Sequence, residues 1–390
     1  MALDGVDNAM VKSGTIVDEN SETCHRLQNM DFSVAPIVRY SLVLDNPAQL
    51  PKFTETLKKY VKSDPCLLYV LTDEGEHLLC GSGELHLETA IEILRSDYMP
   101  DGITFRVSEP IVSYCETVTT ASTITCLSKS PNKHNRLFCT AQPLDEALVN
   151  EMIGGTLPKE AKERARHLID TYGFDESARK IWKMAPEIDP CNMVIDCTKG
   201  VQYMNEIKDS VASGFLHGVD KGPLCDEPLR GVRLNLEDVT LHADAIHRGG
   251  GQIIPTMRSV LFASVLSANP RLLEPVFKAE IQLPREKTSS IYGLMSQRRG
   301  EVKNVEDLPS GTRTKVEATL PVADSFGFVE ELRGVTSGTA FVSLCFSHWQ
   351  VVPGNPLEAG SFAYDVVMKI RKRKDLKLEL PKLENYNDKL

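Results

Sequence analysis

The sequence has no apolar run approaching the ~20 residues needed to span a bilayer, so a transmembrane helix is not expected. Its start, Met1-Ala2-Leu3-Asp4-Gly5, has neither a basic region nor an apolar one, so a secretory signal is not expected there. The ten cysteines include no Cys-x-x-Cys pair. Scattered thiols of this kind suit a reducing cytosol better than disulfides or structural zinc. A Gly-x-x-x-x-Gly-Lys-Ser/Thr loop is also missing, and with it the amide cradle and hydroxyl that hold nucleotide phosphates and magnesium. Gly81-Ser82-Gly83-Glu84 has the glycines without the lysine. Nor is there an excess of base. The formal charge is −10, which argues against a protein that wraps nucleic acid along its length.

What is present is soluble globular composition, 42% hydrophobic and 25% charged, in a chain of 390 residues. That length predicts two to four domains. From Phe32 to about Val107 the periodicity spells βαββαβ. Val34, Val38, Tyr40, Leu42 and Leu44 alternate as a strand does. Pro47 fits a first helical turn, and Leu50, Phe53, Leu57 and Val61 follow helical spacing until Asp64-Pro65 stops them. Cys66–Leu71 and His77–Cys80 read as strands around the turn Asp73-Glu74-Gly75. Leu87, Ile91 and Leu94 then mark a second helix, and Ile103–Val107 a closing strand. The order repeats from about Glu274 to Ser347: strand Val276–Leu283, helix through Ile291, Leu294 and Met295, strands Val302–Val305 and Lys315–Leu320, helix at Phe328 and Leu332, strand Ala340–Phe346. Two ferredoxin-like units in an α+β protein are therefore expected to flank a mixed α/β middle. There, helices are expected over Lys159–Tyr172 and Val201–Phe215, with Met204, Ile207, Val211 and Phe215 as core. A last helix is expected over about Phe362–Lys374, packed through Val366, Val367 and Ile370.

Two local concentrations of base interrupt the acidic background. Ser128–Arg136 carries Lys129, Lys133 and Arg136 with no acid, and Lys369, Arg371, Lys372, Arg373 and Lys374 crowd together. The second is either a contact point or a solvated helix face.

The most informative segment runs from Leu241 to Gln252: Leu-His-Ala-Asp-Ala-Ile-His-Arg-Gly-Gly-Gly-Gln. It lies between an extended run, Val232–Leu241, and a helical run, Ile253–Leu266, with Pro255 in its first turn. Gly249, Gly250 and Gly251 remove every side chain, so that backbone can approach another large molecule. A helix starting there would favour phosphate beside Gly250 and Gly251. His242, Asp244 and His247 could instead ligate zinc or iron. Against that, in an extended segment residues 242 and 244 share a face while 247 points away. The plainest alternative is a glycine turn in which His242 and Asp244 bond to backbone.

This segment resembles the diphthamide loop of eukaryotic and archaeal translation elongation factor 2. His247 stands at the family's modified histidine, which NAD-dependent ADP-ribosylating toxins attack, and His242 and Asp244 match its flanking positions. Leu127-Ser128-Lys129-Ser130-Pro131-Asn132-Lys133-His134-Asn135-Arg136 resembles the second loop of the same tip. Gly75-Glu76-His77 with Gly81–Glu88 is similar to the third-domain motif, Asp324–Phe328 with Leu332-Arg333 to the fifth domain, and Asp388-Lys389-Leu390 to the family's C-terminus. Ser82, commonly alanine or threonine, and the loosely matching Leu144–Thr156 depart from the pattern.

The resemblance implies a remnant of a β-barrel second domain over 1–30, where Val11–Ile16 would be its last strands. A third domain over 31–107, a fourth over 108–273 plus 348–390 and a fifth over 274–347 would follow. It implies a piece of a longer, cytoplasmic translational GTPase that is not itself an enzyme. This chain would hold no cofactor, and GTP and Mg2+ would belong to a missing N-terminal part. The expected partners are both ribosomal subunits and their rRNA, tRNA and mRNA at the decoding centre, and the diphthamide-synthesis enzymes, with no membrane and a monomeric state. The decoding-centre tip would comprise His242, Asp244, His247, Arg248, Gly249, Gly250 and Gly251 with Lys129, Pro131, Asn132, Lys133, His134 and Arg136. There His247 and Arg248 would meet phosphate and ribose. Paralogous spliceosomal or ribosome-maturation GTPases and elongation factor G share the domains, and a metal-dependent hydrolase on His242, Asp244 and His247 is the reading from another class.

Overall fold

The computed structural model describes Thr15, Val17 and residues 37–389, except 65, 73–74, 100–101, 187–189 and 310–311. The expected barrel remnant and the start of the first strand at Val34 lie outside the described residues, Thr15 and Val17 apart. The protein is α+β and divides into two compact units, Met1–Ser113 with Glu274–Gln350, and Tyr114–Leu273 with Val351–Leu390. Among the described residues no helix is long and apolar enough to cross a membrane.

The first unit opens with β1 (Val38–Leu44), α1 (Leu50–Ser63), β2 (Leu68–Leu71), β3 (His77–Gly81), α2 (Glu84–Ile93), β4 (Phe105–Val107) and β5 (Ile111–Val112). The sheet order β2-β3-β1-β4 with antiparallel neighbours is the ferredoxin-like arrangement. Val38, Tyr40 and Leu42 alternate inward, and α1 buries Phe53, Leu57, Tyr60 and Val61. Two details differ from the sequence reading. Pro47 lies in a separate 3-10 turn capped by Asn46, whose side chain accepts from Ala48 N at 3.1 Å, and Leu50 at the head of the helix is exposed. Asp64 is extended, as a residue ahead of proline must be, and ends the helix.

The second unit carries β6 (Cys115–Val118), β7 (Cys126–Lys129), β8 (Arg136–Pro143), α3 (Glu146–Ile153), α4 (Ala161–Tyr172), β9 (Ile181–Ala185), β10 (Asn192–Asp196), α5 (Met204–Asp220), β11 (Val232–Thr240) and α6 (Gly250–Ser267). Its sheet runs β7-β8-β11-β10-β9, with β10 and β11 parallel. Helices cover both faces. Ile207, Val211 and Phe215 of α5 and Met257 and Leu261 of α6 pack with Val194 and Leu234, while Leu148, Met152 and Leu168 pack with Met193 and Ile195. β10 is accordingly buried on both sides. The two long helices touch closely at Gly214, where a Cβ would stand 2.7 Å from that of Met257.

The first unit resumes in β12 (Pro270–Pro284), α7 (Thr288–Gln297), β13 (Glu301–Asp307), β14 (Arg313–Pro321), α8 (Phe328–Val335) and β15 (Phe341–Val351). The order β13-β14-β12-β15 repeats the ferredoxin-like topology. β12 begins at Pro270, ahead of the expected Val276, and its residues 270–273, which belong to the second unit, pair there with β6.

In α9 (Phe362–Arg373) the crowded base is divided, with Lys369 and Lys372 on a solvated face and the other three cations engaged within the unit. Arg371 is buried, donating to the carbonyls of Lys377 (2.7 Å), Glu379 (3.2 Å) and Leu224. Arg373 and Lys374 reach Glu227 at 3.4 and 2.9 Å, and Lys374 also donates to the Cys225 and Asp226 carbonyls. Three cations thus clasp the segment Leu224–Glu227, leaving Lys369 and Lys372 exposed. That segment folds round the fully buried carboxylate of Glu116, which accepts from the amides of Leu224 and Cys225 at 2.8 Å and of Glu227 at 3.3 Å.

Burial pushes the Glu116 carboxyl up from 4.5 to about 7, against the lowering effect of the three amides. A raised carboxyl pKa means that the native state holds the proton more tightly than the unfolded chain. Its stabilising contribution is complete below about 4.5 and is lost as pH rises through about 7. Denaturation of wild type and Glu116→Gln should show the difference in stability moving towards the variant across that window, by about 3 kcal/mol. A pH-independent difference would contradict this.

Candidate functional site

The last cross-strand pair of β8 and β11 is Arg136 with Thr240, and that of β7 and β8 is Lys129 with Arg136. The turn 130–135 and the loop 241–249 therefore leave the sheet at the same end. In the turn, Lys133 takes a left-handed conformation (φ 60°) and donates its amide to Ser130 O at 2.7 Å. In the loop, Asp244 caps a 3-10 turn, Ala245–Arg248, by accepting from Ile246 N at 3.1 Å. His242 Nδ1 accepts from Asp244 N at 3.1 Å.

This turn changes which residues meet. The chain is not extended from 242 to 247, so His247 folds back until its ring centroid lies 4.5 Å from that of His242. His134 joins from the other loop, at 5.0 Å from His242 and 4.8 Å from His247. The cluster is three imidazoles, whereas Asp244, the carboxylate that the metal reading required, is used as a cap. Among the described residues no group of three or more His, Cys, Asp or Glu is disposed to hold a metal ion.

Arg248 also departs from the expectation. It is buried, its guanidinium donating to the carbonyls of His242 (2.6 Å) and Ala243 (2.9 Å) and pairing with Glu206 at 2.5 Å. It lies 4.1 Å from the centroid of the Tyr203 ring. With two carbonyl partners and one carboxylate partner and almost no exposure, this cation shapes the loop from within and does not face solvent. The cations left at the surface are Lys133, exposed, and Lys129 and Arg136, half-buried. Pro131 and His134 are exposed and Asn132 is half-buried.

The glycines form no turn. Gly249 is the N-cap of α6 with φ −59°, and Gly250 and Gly251 are its first residues. The helix thus starts ahead of the expected Ile253, which places Pro255 in the second turn. A Cβ on Gly249 or Gly251 would meet nothing within 4 Å. Gly249 suits an N-cap better than alanine would, but neither packing nor backbone conformation within the chain calls for glycine at 251, where alanine would favour the helix by up to ~1 kcal/mol.

Two features were missed in the sequence. Ile246 is 83% exposed beside the histidines. Its position between Ala245 and His247 gave no periodic signal. The tail 383–388 runs along β7: Asp388 N donates to Leu127 O at 2.8 Å, Lys129 N to Asp388 Oδ2 at 2.7 Å, and Ser128 Oγ to Tyr386 O at 2.6 Å. A cleft of about 570 Å³ lined by Gln142, Tyr172, Phe174 and Arg233 lies at the other end of β8 and β11. The tip itself presents exposed Pro131, Lys133, His134 and Ile246 at the end of the sheet.

Comparison with known families places this geometry. Residues 34–104 match elongation factor G domain III, residues 153–269 match elongation factor G domain IV, and residues 271–359 match the elongation factor G C-terminus. The histidine–glycine loop falls inside the domain IV match.

Removing the inward cation takes the guanidinium donors from the His242 and Ala243 carbonyls and the counter-charge from Glu206. Arg248→Ala should destabilise the second unit by about 2–4 kcal/mol, measured by chemical denaturation. Lys133→Gln, which keeps the backbone strain and changes only an exposed side chain, should stay within about 0.5 kcal/mol of wild type. Equal effects would refute the division between inward and outward base.

Proposed function

Because the chain carries the third, fourth and C-terminal domains of the elongation factor G and elongation factor 2 family, a ribosome-binding region of a translation elongation factor, we propose that the paired loops of its second unit are the part that touches tRNA and mRNA during translocation. The observation that carries this reading is the open glycine edge. Gly249 serves as the N-cap of α6, but Gly251 has no packing role inside the fold, which supports a body outside it that needs this backbone bare. Bare backbone at the head of an α-helix admits phosphate closely and offers it unpaired amides. Lys129, Lys133 and Arg136 supply positive charge beside it. Such contacts go to the sugar–phosphate backbone and carry no base sequence, which suits a factor that serves every codon.

Within the family, the sequence His247-Arg248-Gly249-Gly250-Gly251 supports elongation factor 2 over elongation factor G and over the spliceosomal and ribosome-maturation paralogues. On this reading His247, which is half-buried, is the substrate of the diphthamide-synthesis enzymes. GTP hydrolysis would reside in a further part of the factor, with its nucleotide and Mg2+, and the working compartment would be the cytoplasm. The two ferredoxin-like folds would transmit the nucleotide state.

Peptide mass spectrometry of the protein from its native source should find a mass addition on His247. An unmodified histidine would remove the support for elongation factor 2 in particular. Gly251→Ala should leave stability unchanged or raised by up to ~1 kcal/mol while weakening association with ribosomes about tenfold. Undiminished ribosome binding by a well-folded Gly251→Ala protein would contradict the glycine argument.

A further inference from the structure

The three imidazoles come from two loops, and one side chain bridges their backbones. Asn135 is fully buried. Its Oδ1 accepts from His242 N at 3.2 Å, and its Nδ2 donates to His247 O at 2.7 Å. His134 is its chain neighbour. The two ends of one planar amide thus set the spacing of the His242 and His247 backbones, and the same residue anchors the loop that brings the third ring. The amide is held in turn by Ser130, whose hydroxyl accepts from Asn135 N at 2.9 Å and Nδ2 at 3.3 Å and donates to Asn132 Oδ1 at 2.5 Å. Asn132 Nδ2 gives His247 O its second donor at 3.0 Å.

We propose that Asn135 is the positioning residue of the tip: its amide fixes the mutual geometry of His134, His242 and His247 and so determines how the His247 imidazole is presented. The chemistry singles out asparagine. The His242 amide requires an acceptor and the His247 carbonyl a donor, on one short planar group. Aspartate has the same shape but no donor, and would set two oxygens against each other where the 2.7 Å bond now stands. Aliphatic residues would take the acceptor from His242 N and leave His247 O with Asn132 Nδ2 alone. The functional consequence, that Asn135 aims His247 at its RNA partners and modifying enzymes, rests on the reading of the tip given above; the geometric claim does not.

The test is reaction of the whole chain with diethylpyrocarbonate, with the rate at each histidine read by peptide mass spectrometry. His86 and His167, which pair with Asp64 and Glu151 at 2.9 Å, serve as internal references. In Asn135→Asp the rates at His242 and His247 should rise about threefold or more as the loops part, with both references unchanged. Tip rates equal to wild type would overturn the proposal. If Asn135→Asp loosens the whole unit, shown by a rise at His167, Ser130→Ala decides by the same comparison, because it removes only the hydroxyl that holds the amide. Ribosome association of the same variant separates the two claims. Altered tip rates with unaltered association would keep Asn135 as the positioning residue and remove the tip's role on the ribosome. Unaltered tip rates would reject Asn135 whatever the association.

Discussion

The antiparallel pairing of β8 with β11 is the constraint from which the tip follows. Its register ends at Arg136 and Thr240, so a short turn and a nine-residue loop, 241–249, emerge side by side although about a hundred residues of chain separate them. Each loop is short of internal partners. The turn offers the amides of Asn132 and Asn135, and the loop offers the carbonyl of His247 and the N–H of His242. Cross-bonding satisfies both, as buried polar groups require. From that pairing come the three-ring cluster, the inward course of Arg248 and the start of α6 at Gly250. The rest of the second unit serves this end of the sheet: α5 and α6 close over one face, α5 and its N-cap supply Glu206 and Tyr203 to Arg248, and the tail 383–388 lines β7.

Charge is used in two ways that composition does not distinguish. Arg248 and Arg371 are buried and donate to carbonyls of irregular segments, where one guanidinium satisfies several acceptors at once. Lys133, beside the histidines, is left outside. A net charge of −10 is compatible with nucleic-acid contact because the positive groups are needed only at one small end, and because several of the other cations are spent in holding loops.

The two ferredoxin-like folds were legible residue by residue, since alternation in Val38, Tyr40 and Leu42 and the helical spacing of Phe53, Leu57 and Val61 are local signals that burial then honours. The stripe Ile207, Val211, Phe215 was legible for the same reason. What could not be read was anything set by contacts far apart in sequence. Arg248 looked like a surface cation because its partner Glu206 lies on another helix. The basic run 369–374 looked like a face because Leu224–Glu227 and Glu116 are distant in the chain. His134 was seen, but its meeting with His242 and His247 depends on strand register and on a 3-10 turn that breaks the extended pattern assumed from 242 to 247. Leu50 and Pro47 show the smaller error, a helix start misjudged because a capped 3-10 turn and a first α-turn share the same proline signal.

The central claim is that the three-histidine end of the second unit is the surface that meets RNA on the ribosome. The most direct measurement is photo-crosslinking from a reactive group placed at Ile246, the most exposed apolar side chain of the tip, with ribosomes programmed with mRNA and tRNA. The account predicts cross-links from position 246 to RNA of the decoding region and none from a group at Glu163, on the exposed side of α4. RNA cross-links from 163 but not from 246, with the protein bound in both cases, would contradict it.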